Sequence, residues 1–127
     1  RVHAFPVRRG EADRNAIRTA IELLSQGRAV AIFPEGTRTH TGEMLPPQRG
    51  AGLTALRAGV PIVPVALIGT FKPVRVAKGI PRISRLVVRF GDPFDVAPYR
   101  ELDSKEAVDA INERMMQEIQ RLMEQGR

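Results

Sequence analysis

The feature that most constrains this chain is an apolar run that ends abruptly in polar chemistry. Residues 29–33, AVAIF, are continuous and apolar, the pattern typical of a strand covered on both faces. Pro34 follows directly, and because proline lacks a ladder donor the backbone must turn there. The next four positions supply a carboxylate, a bare backbone, a hydroxyl and a guanidinium: Glu35, Gly36, Thr37 and Arg38. A buried strand is therefore predicted to present these groups at its carboxyl end.

Helical and extended patterns alternate along the rest of the chain. Strand patterns cover 2–7, 29–33, 60–68 and 85–91, and helical patterns cover 10–27, about 50–58 and a C-terminal segment that starts near Asp103. This order predicts an α/β fold with a mixed, partly parallel sheet flanked by helices. Ligands of open α/β sheets bind at the carboxyl ends of strands, where residues 34–38 are expected to lie.

The helical segments carry recognisable start and stop signals. The first has acids at its start and Gly27 at its end, and the second stops at Gly59. Asp103 with Glu106 three residues later resembles a capping box. An apolar stripe then runs to the C-terminus and is expected to face the core: Val108, Ile111, Met115, Ile119 and Leu122.

Length and composition bound the possibilities. A chain of 127 residues is the size of one domain, and its 43% apolar and 27% charged residues are typical of a globular protein. No apolar stretch approaches the roughly 20 residues of a membrane span. The absence of cysteine excludes disulfides and thiolate metal sites, and two isolated histidines cannot build a zinc site alone. No basic-then-apolar leader precedes the domain, and the start at Arg1 rather than Met suggests a fragment.

Positive charge is concentrated in one segment. The chain has 20 basic and 14 acidic residues, and the run from Lys72 to Arg89 holds six cations without an acid. Such a run is expected to attract anions, although it could equally be a solvated basic face. Pro73, Gly79 and Pro81 argue against an amphipathic helix and predict an irregular basic loop.

The polar residues after the apolar run suit a small phosphorylated polyol. Glu35 can accept hydrogen bonds from substrate hydroxyls, and Thr37 can both donate and accept. Gly36 can adopt positive φ and allow a ligand to approach the backbone closely. The planar fork of Arg38 matches phosphate oxygens. The alternative is a tight turn in which Glu35 and Arg38 simply pair with each other at the surface.

Several motifs together resemble the glycerolipid acyltransferases typified by 1-acylglycerol-3-phosphate acyltransferase. They are FPEGTR (33–38) after GRAVAI (27–32), GVPIVPVAL (59–67), FPVRRG (5–10) and RFGDPFDV (89–96). The resemblance implies a glycerol-3-phosphate acyltransferase-like α/β domain acting in phospholipid biosynthesis. Its members transfer a fatty acyl group from acyl-CoA or acyl-carrier protein to 1-acylglycerol-3-phosphate, giving phosphatidic acid. The acyl donor is a co-substrate, and no resident cofactor or metal is implied.

The resemblance also assigns substrate-binding roles. It implies that Glu35, Gly36, Thr37 and Arg38 bind the glycerol-phosphate portion of lysophosphatidic acid and that Arg9 helps to hold the phosphate. Pro64 would shape the floor of the site. Arg8 stands where relatives often carry an acid, so either Arg8 or Arg9 could contact the phosphate.

The family's general base is a histidine with an aspartate five positions later, and the carboxylate orients the imidazole that takes the hydroxyl proton. This pair is absent, since Arg8 follows His3 and Leu45 follows His40 at that spacing. The resemblance places the pair before Arg1. Residues 1–127 are therefore interpreted as a single, N-terminally incomplete acyltransferase domain that binds the acceptor but is inactive alone.

Two other functions compete with this interpretation. The chain could be a catalytically inactive module that recognises anionic lipid. Nucleic-acid binding is disfavoured, because the basic run contains no recognisable stacking motif. The preferred partner of the run from Lys72 to Arg89 is an anionic membrane surface. The protein is accordingly expected on the cytoplasmic side, peripherally associated with a membrane.

Overall fold

The computed structural model describes residues 4–5, 13–36, 43–70, 75–77, 80–82 and 85–125, and for 75–77 and 80–82 it describes the backbone alone. The helices are α1 (Arg14–Ser25), α2 (Arg49–Ala58) and α3 (Ser104–Glu124), with a short 3-10 helix at Ala97–Glu101. The strands are β1 (Val65–Ile68), β2 (Arg75–Ala77), β3 (Ile80–Arg82) and β4 (Val87–Phe90). The predicted α/β class is confirmed. The strand expected at 2–7 lies mostly outside the described residues.

The helices begin and end where their local chemistry predicts. Asp13 caps α1, and its carboxylate accepts hydrogen bonds from the amides of Asn15 and Ala16 at 3.0 and 3.2 Å. Gly59 ends α2 in the left-handed conformation, with φ of 66°. Asp103 caps α3 by accepting from the Lys105 amide. The predicted end of α2 at Gly59 and the predicted start of α3 at Asp103 are confirmed, and α1 lies within the predicted range 10–27.

The core forms where α3 packs against α2 and the strands. Most of the predicted stripe on α3 is buried, and Ile119 is half-buried. Ile111 is at the centre of a cluster with Ala55 of α2 and Val96, which precedes the 3-10 helix. Burial of this stripe supplies the main stabilisation, since apolar burial contributes roughly 25 cal/mol per Å².

Strand β1 pairs antiparallel with β4, from Val65 opposite Phe90 to Ile68 opposite Val87. The strand predicted at 60–68 is shorter than expected, because its prolines cannot donate to a ladder. Ile62, which lies between Pro61 and Pro64, forms an isolated bridge to Phe94, with both hydrogen bonds at 2.9 Å.

The apolar run at 29–33 does not form the predicted strand. It is unpaired in the described structure, and Ile32 and Phe33 are exposed, the latter by 73%. The strand pairs among the described residues are all antiparallel, so the predicted parallel component is not found there. A strand needs neighbours to supply its hydrogen bonds, and no described strand pairs with 29–33.

The basic segment also differs from expectation. Instead of an irregular loop, β2 pairs antiparallel with β3, and Arg75 lies opposite Arg82. Pro81 is tolerated because this sheet has only two strands, both of them edges. Arg89 is not available to bind an anion, because its guanidinium donates to the carbonyls of Leu122, at 2.7 Å, and Gln125.

One face of the β1–β4 sheet is apolar and uncovered. Leu67, Val88 and Phe90 share this face and are exposed, Phe90 by 71%. Val63 and Leu86 extend it beyond the strand ends and are exposed as well. The opposite face carries buried Ala66 and packs against α3. We call the exposed set the open sheet face, and a patch of this kind marks a surface that is normally covered.

Candidate functional site

The polar motif begins in a tight turn at residues 33–36. The Gly36 amide donates to the Phe33 carbonyl at 3.1 Å, and Gly36 has φ of 69°. Pro34 occupies the second position of this turn, where its fixed φ is favourable. The turn and the positive φ at Gly36 confirm what the sequence predicted for the backbone.

The Glu35 side chain is fixed by a backbone amide rather than left at the surface. Its Oε2 atom accepts a hydrogen bond from the amide of Leu45 at 2.7 Å, in a half-buried setting. A carboxylate held through one oxygen keeps its second oxygen for another donor. Among the described residues, none donates to Oε1. Glu35 is thus oriented as a hydrogen-bond acceptor.

The second support of the turn comes from the start of α2. The Gln48 amide donates to the Pro34 carbonyl at 2.7 Å. A Cβ atom placed on Gly36 would lie only 2.8 Å from Cγ of Gln48. The sequence predicted that the bare Gly36 backbone leaves room for a ligand, but on this side the Gln48 side chain fills that room.

Pro64 is fully buried and packs in the sheet layer. Its carbonyl accepts from the Gly91 amide at 2.8 Å, and a Cβ on Gly91 would lie 2.9 Å from Cγ of Pro64. Pro64 directly precedes β1 and Gly91 directly follows β4, so this contact extends the pairing of the two strands by one residue. Its predicted role in substrate binding stays a prediction.

The remaining predicted site residues lie outside the described part of the chain: Arg8, Arg9, Thr37, Arg38, His3 and His40. Within the described ranges, no three histidine, aspartate or glutamate side chains gather into a set that could hold a metal ion.

A buried hydrogen bond fixes α2, and with it Gln48. The Oδ1 atom of Asn112, in α3, accepts from the Gly52 amide in α2 at 3.0 Å, and Asn112 is only 4% exposed. A Cβ on Gly52 would lie 2.6 Å from that oxygen, so the close crossing requires glycine. The ion pair of Arg49 with Asp109, at 3.9 Å and exposed, adds little.

Sequence reasoning missed Leu45, Gln48 and Asn112. One signal was available for Gln48, because glutamine is not among the residues that cap helices well. It occupies the N-cap position of α2 without making a capping hydrogen bond. A poor cap at a helix start suggests that the side chain has another role. Leu45 contributes only its backbone, which no side-chain pattern reveals.

The family model described as Acyltransferase matches residues 1–68, more than half of the chain. The chain therefore belongs to the acyltransferase family, as its motifs predicted. It is 36% identical over 122 residues to the 1-acyl-sn-glycerol-3-phosphate acyltransferase of Bacillus subtilis, covering 96% of this chain and 58% of that protein. It is 48% identical over 60 residues to the human 1-acyl-sn-glycerol-3-phosphate acyltransferase alpha, covering 47% of this chain and 21% of the relative.

The fold is similar to a solved acyltransferase. The crystal structure of PlsC, the 1-acyl-sn-glycerophosphate (LPA) acyltransferase from Thermotoga maritima, matches with a TM-score of 0.65 and 26% identity. The match covers 88% of this chain and 46% of that chain. The chain thus spans about half the length of the bacterial relatives that it matches.

Proposed function

We propose that this chain carries the acceptor-binding part of an acyltransferase of phospholipid biosynthesis. The enzyme would transfer a fatty acyl group from acyl-CoA or acyl-carrier protein to 1-acylglycerol-3-phosphate, giving phosphatidic acid. The observation that carries the proposal is the Glu35 carboxylate, held through Oε2 by the Leu45 amide and able to accept through Oε1. The names of the relatives, which are 1-acyl-sn-glycerol-3-phosphate acyltransferases, support the same reaction.

The proposed reaction needs an acceptor that is held in position and a general base. The free hydroxyl of the acceptor attacks the thioester carbonyl, a C–O bond forms, the C–S bond breaks, and the thiol leaves with a proton. Glu35 would accept a hydrogen bond from the glycerol portion, and Thr37 would add a second polar contact. Arg38, with Arg9 or Arg8, would hold the phosphate through charge-assisted hydrogen bonds.

The base is expected to come from outside residues 1–127. No histidine of the sequence has an aspartate five positions later, so this chain alone is predicted to bind the acceptor without turnover. The open sheet face supports an incomplete domain, because large apolar side chains such as Phe90 are normally covered in a stable enzyme. The coverage of about half of the bacterial relatives supports it too.

Binding and turnover can be measured separately. We expect calorimetry to detect lysophosphatidic acid binding to this chain, and we expect no phosphatidic acid when an acyl-CoA is added. The full-length protein should catalyse the reaction. Robust turnover by residues 1–127 would contradict the assignment of the base. A full-length protein that binds the lipid without activity would instead favour the inactive lipid-binding module.

Arg38→Ala tests the proposed phosphate contact. We expect acceptor binding to weaken by about 1.5–3 kcal/mol, the range for a hydrogen bond to a charged group. Arg57→Ala is the charge-matched control, because Arg57 is exposed in the last turn of α2, at the opposite end from Gln48. Equal affinities of the two variants would remove Arg38 from the binding site.

The basic segment would deliver the protein to the lipid. We propose that the cations from Lys72 to Arg85 contact an anionic membrane surface on the cytoplasmic side, each contributing about 1 kcal/mol. No helix of the described residues is long and apolar enough to cross a bilayer. Salt-sensitive sedimentation with anionic but not zwitterionic vesicles is expected, and equal retention on RNA would contradict a lipid-specific role.

A further inference from the structure

We propose that Gln48 is a positioning residue of the acceptor site, which holds the Glu35–Gly36 turn in its binding conformation through the Cβ–Cγ stem of its side chain. The inference rests on the proposed function of that turn. Gln48 would act through the turn and not by touching the substrate.

Three contacts join the turn to residues 45–48, and Gln48 makes two of them. Its amide donates to the Pro34 carbonyl, and its Cγ occupies the position beside the Cα of Gly36. The third contact is the hydrogen bond from the Leu45 amide to Glu35. Together they fix both the backbone and the carboxylate, so the loss of one contact should loosen the others.

The Gln48 side chain makes no capping hydrogen bond to the helix that it starts. A serine, threonine, aspartate or asparagine at an N-cap accepts a hydrogen bond from the first turn. Gln48 makes none, although its ψ of 152° is that of an N-cap. Its stem lies against Gly36 instead. A good N-cap residue at position 48 would therefore stabilise α2 but lose the contact with Gly36. A single substitution can separate the two effects.

The start of α2 is fixed independently of the turn. Asn112 holds Gly52 through a buried hydrogen bond, so α3 determines where the first turn of α2 lies. Gln48 thus projects from an anchored helix onto a turn whose Gly36 has positive φ. Without the stem, the turn would have more room to change conformation, and part of the acceptor's binding energy would be spent on ordering it.

Gln48→Ser is the informative variant. Serine is a good N-cap but lacks the stem, so the urea midpoint should stay the same or rise while acceptor affinity falls several-fold. Gln48→Met is the matched control, because methionine keeps Cβ and Cγ without the amide, and it should bind almost as the parent does. In the full-length enzyme, Gln48→Ser should raise KM for the acceptor and leave KM for the acyl donor unchanged.

Hydrogen exchange tests the contact without any substrate. The Leu45 amide should exchange faster in Gln48→Ser than in the parent or in Gln48→Met. Unchanged exchange and unchanged affinity in Gln48→Ser would overturn the proposal. Equal loss of affinity in both variants would overturn it as well, because the amide head group would then be the contact. Failure of the parent to bind lysophosphatidic acid would instead refute the proposed function, which the exchange measurement does not assume.

Discussion

Replacing Asn112 with alanine should destabilise the protein far more than a typical polar substitution. Asn112 is 4% exposed, and its Oδ1 accepts a hydrogen bond from the Gly52 amide at 3.0 Å. The two helices approach so closely that a Cβ on Gly52 would reach within 2.6 Å of that oxygen. Gly52 and Asn112 are both buried, so the amide that loses Asn112 keeps much of its desolvation penalty.

The expected magnitude follows from the burial of this hydrogen bond. Removing one partner of a buried hydrogen bond costs about 1–3 kcal/mol, because the remaining group keeps its desolvation penalty. For a domain of this size, each kcal/mol lowers the melting temperature by about 4 °C. We therefore expect Asn112→Ala to lower the melting temperature by roughly 4–12 °C.

Thermal unfolding followed by circular dichroism measures the melting temperature, and urea unfolding gives the free energy of unfolding, provided that the slope of the transition is unchanged. Gln117→Ala is the matched control, because Gln117 is exposed on the same helix and, within the described part of the chain, its side chain bonds only to Glu113, at 3.3 Å. Its free energy of unfolding should change by less than about 0.5 kcal/mol. If the two variants were equally stable, the hydrogen bond to Gly52 would not hold α2 against α3.

Two further predictions concern glycine conformation and helix capping. Gly59→Ala and Gly27→Ala should cost similar free energies in urea unfolding, because both glycines have positive φ and the Arg100 guanidinium that a Cβ at position 59 would meet ends an exposed side chain that can move away. A clearly larger loss for Gly59→Ala would show that Arg100 is held in place. Arg89→Ala should cost about 1.5 kcal/mol because the guanidinium binds the last carbonyls of α3. Arg85→Ala, an exposed cation of the same segment, should cost under about 0.5 kcal/mol, and a similar cost for both would argue against capping by Arg89.

The helix ends were predictable because capping is a local interaction. Asp13 and Asp103 accept hydrogen bonds from amides two or three residues away, and Gly59 relieves a strain confined to its own φ. The apolar stripe on α3 was predictable for a related reason, since helical periodicity fixes which residues share a face. None of these features depends on the path of the chain elsewhere.

The strands were less predictable because their partners are distant in sequence. The apolar run at 29–33 satisfied the pattern of a buried strand, yet no described strand pairs with it. The prolines and the glycine of the basic segment predicted a loop, yet residues 75–77 and 80–82 pair with each other. Pattern indicates that a segment could be a strand, and pairing decides whether it becomes one.

The sequence by itself determined the turn at Pro34, the helix boundaries and the family, because each depends on residues adjacent in the chain or on a contiguous motif. Only the tertiary structure decided that Leu45 holds the Glu35 carboxylate and that Gln48 fills the space beside Gly36. It also decided that Arg89 caps α3 and is therefore not available to bind an anion. These contacts join segments ten or more residues apart, and their geometry is set by how α2 and α3 pack.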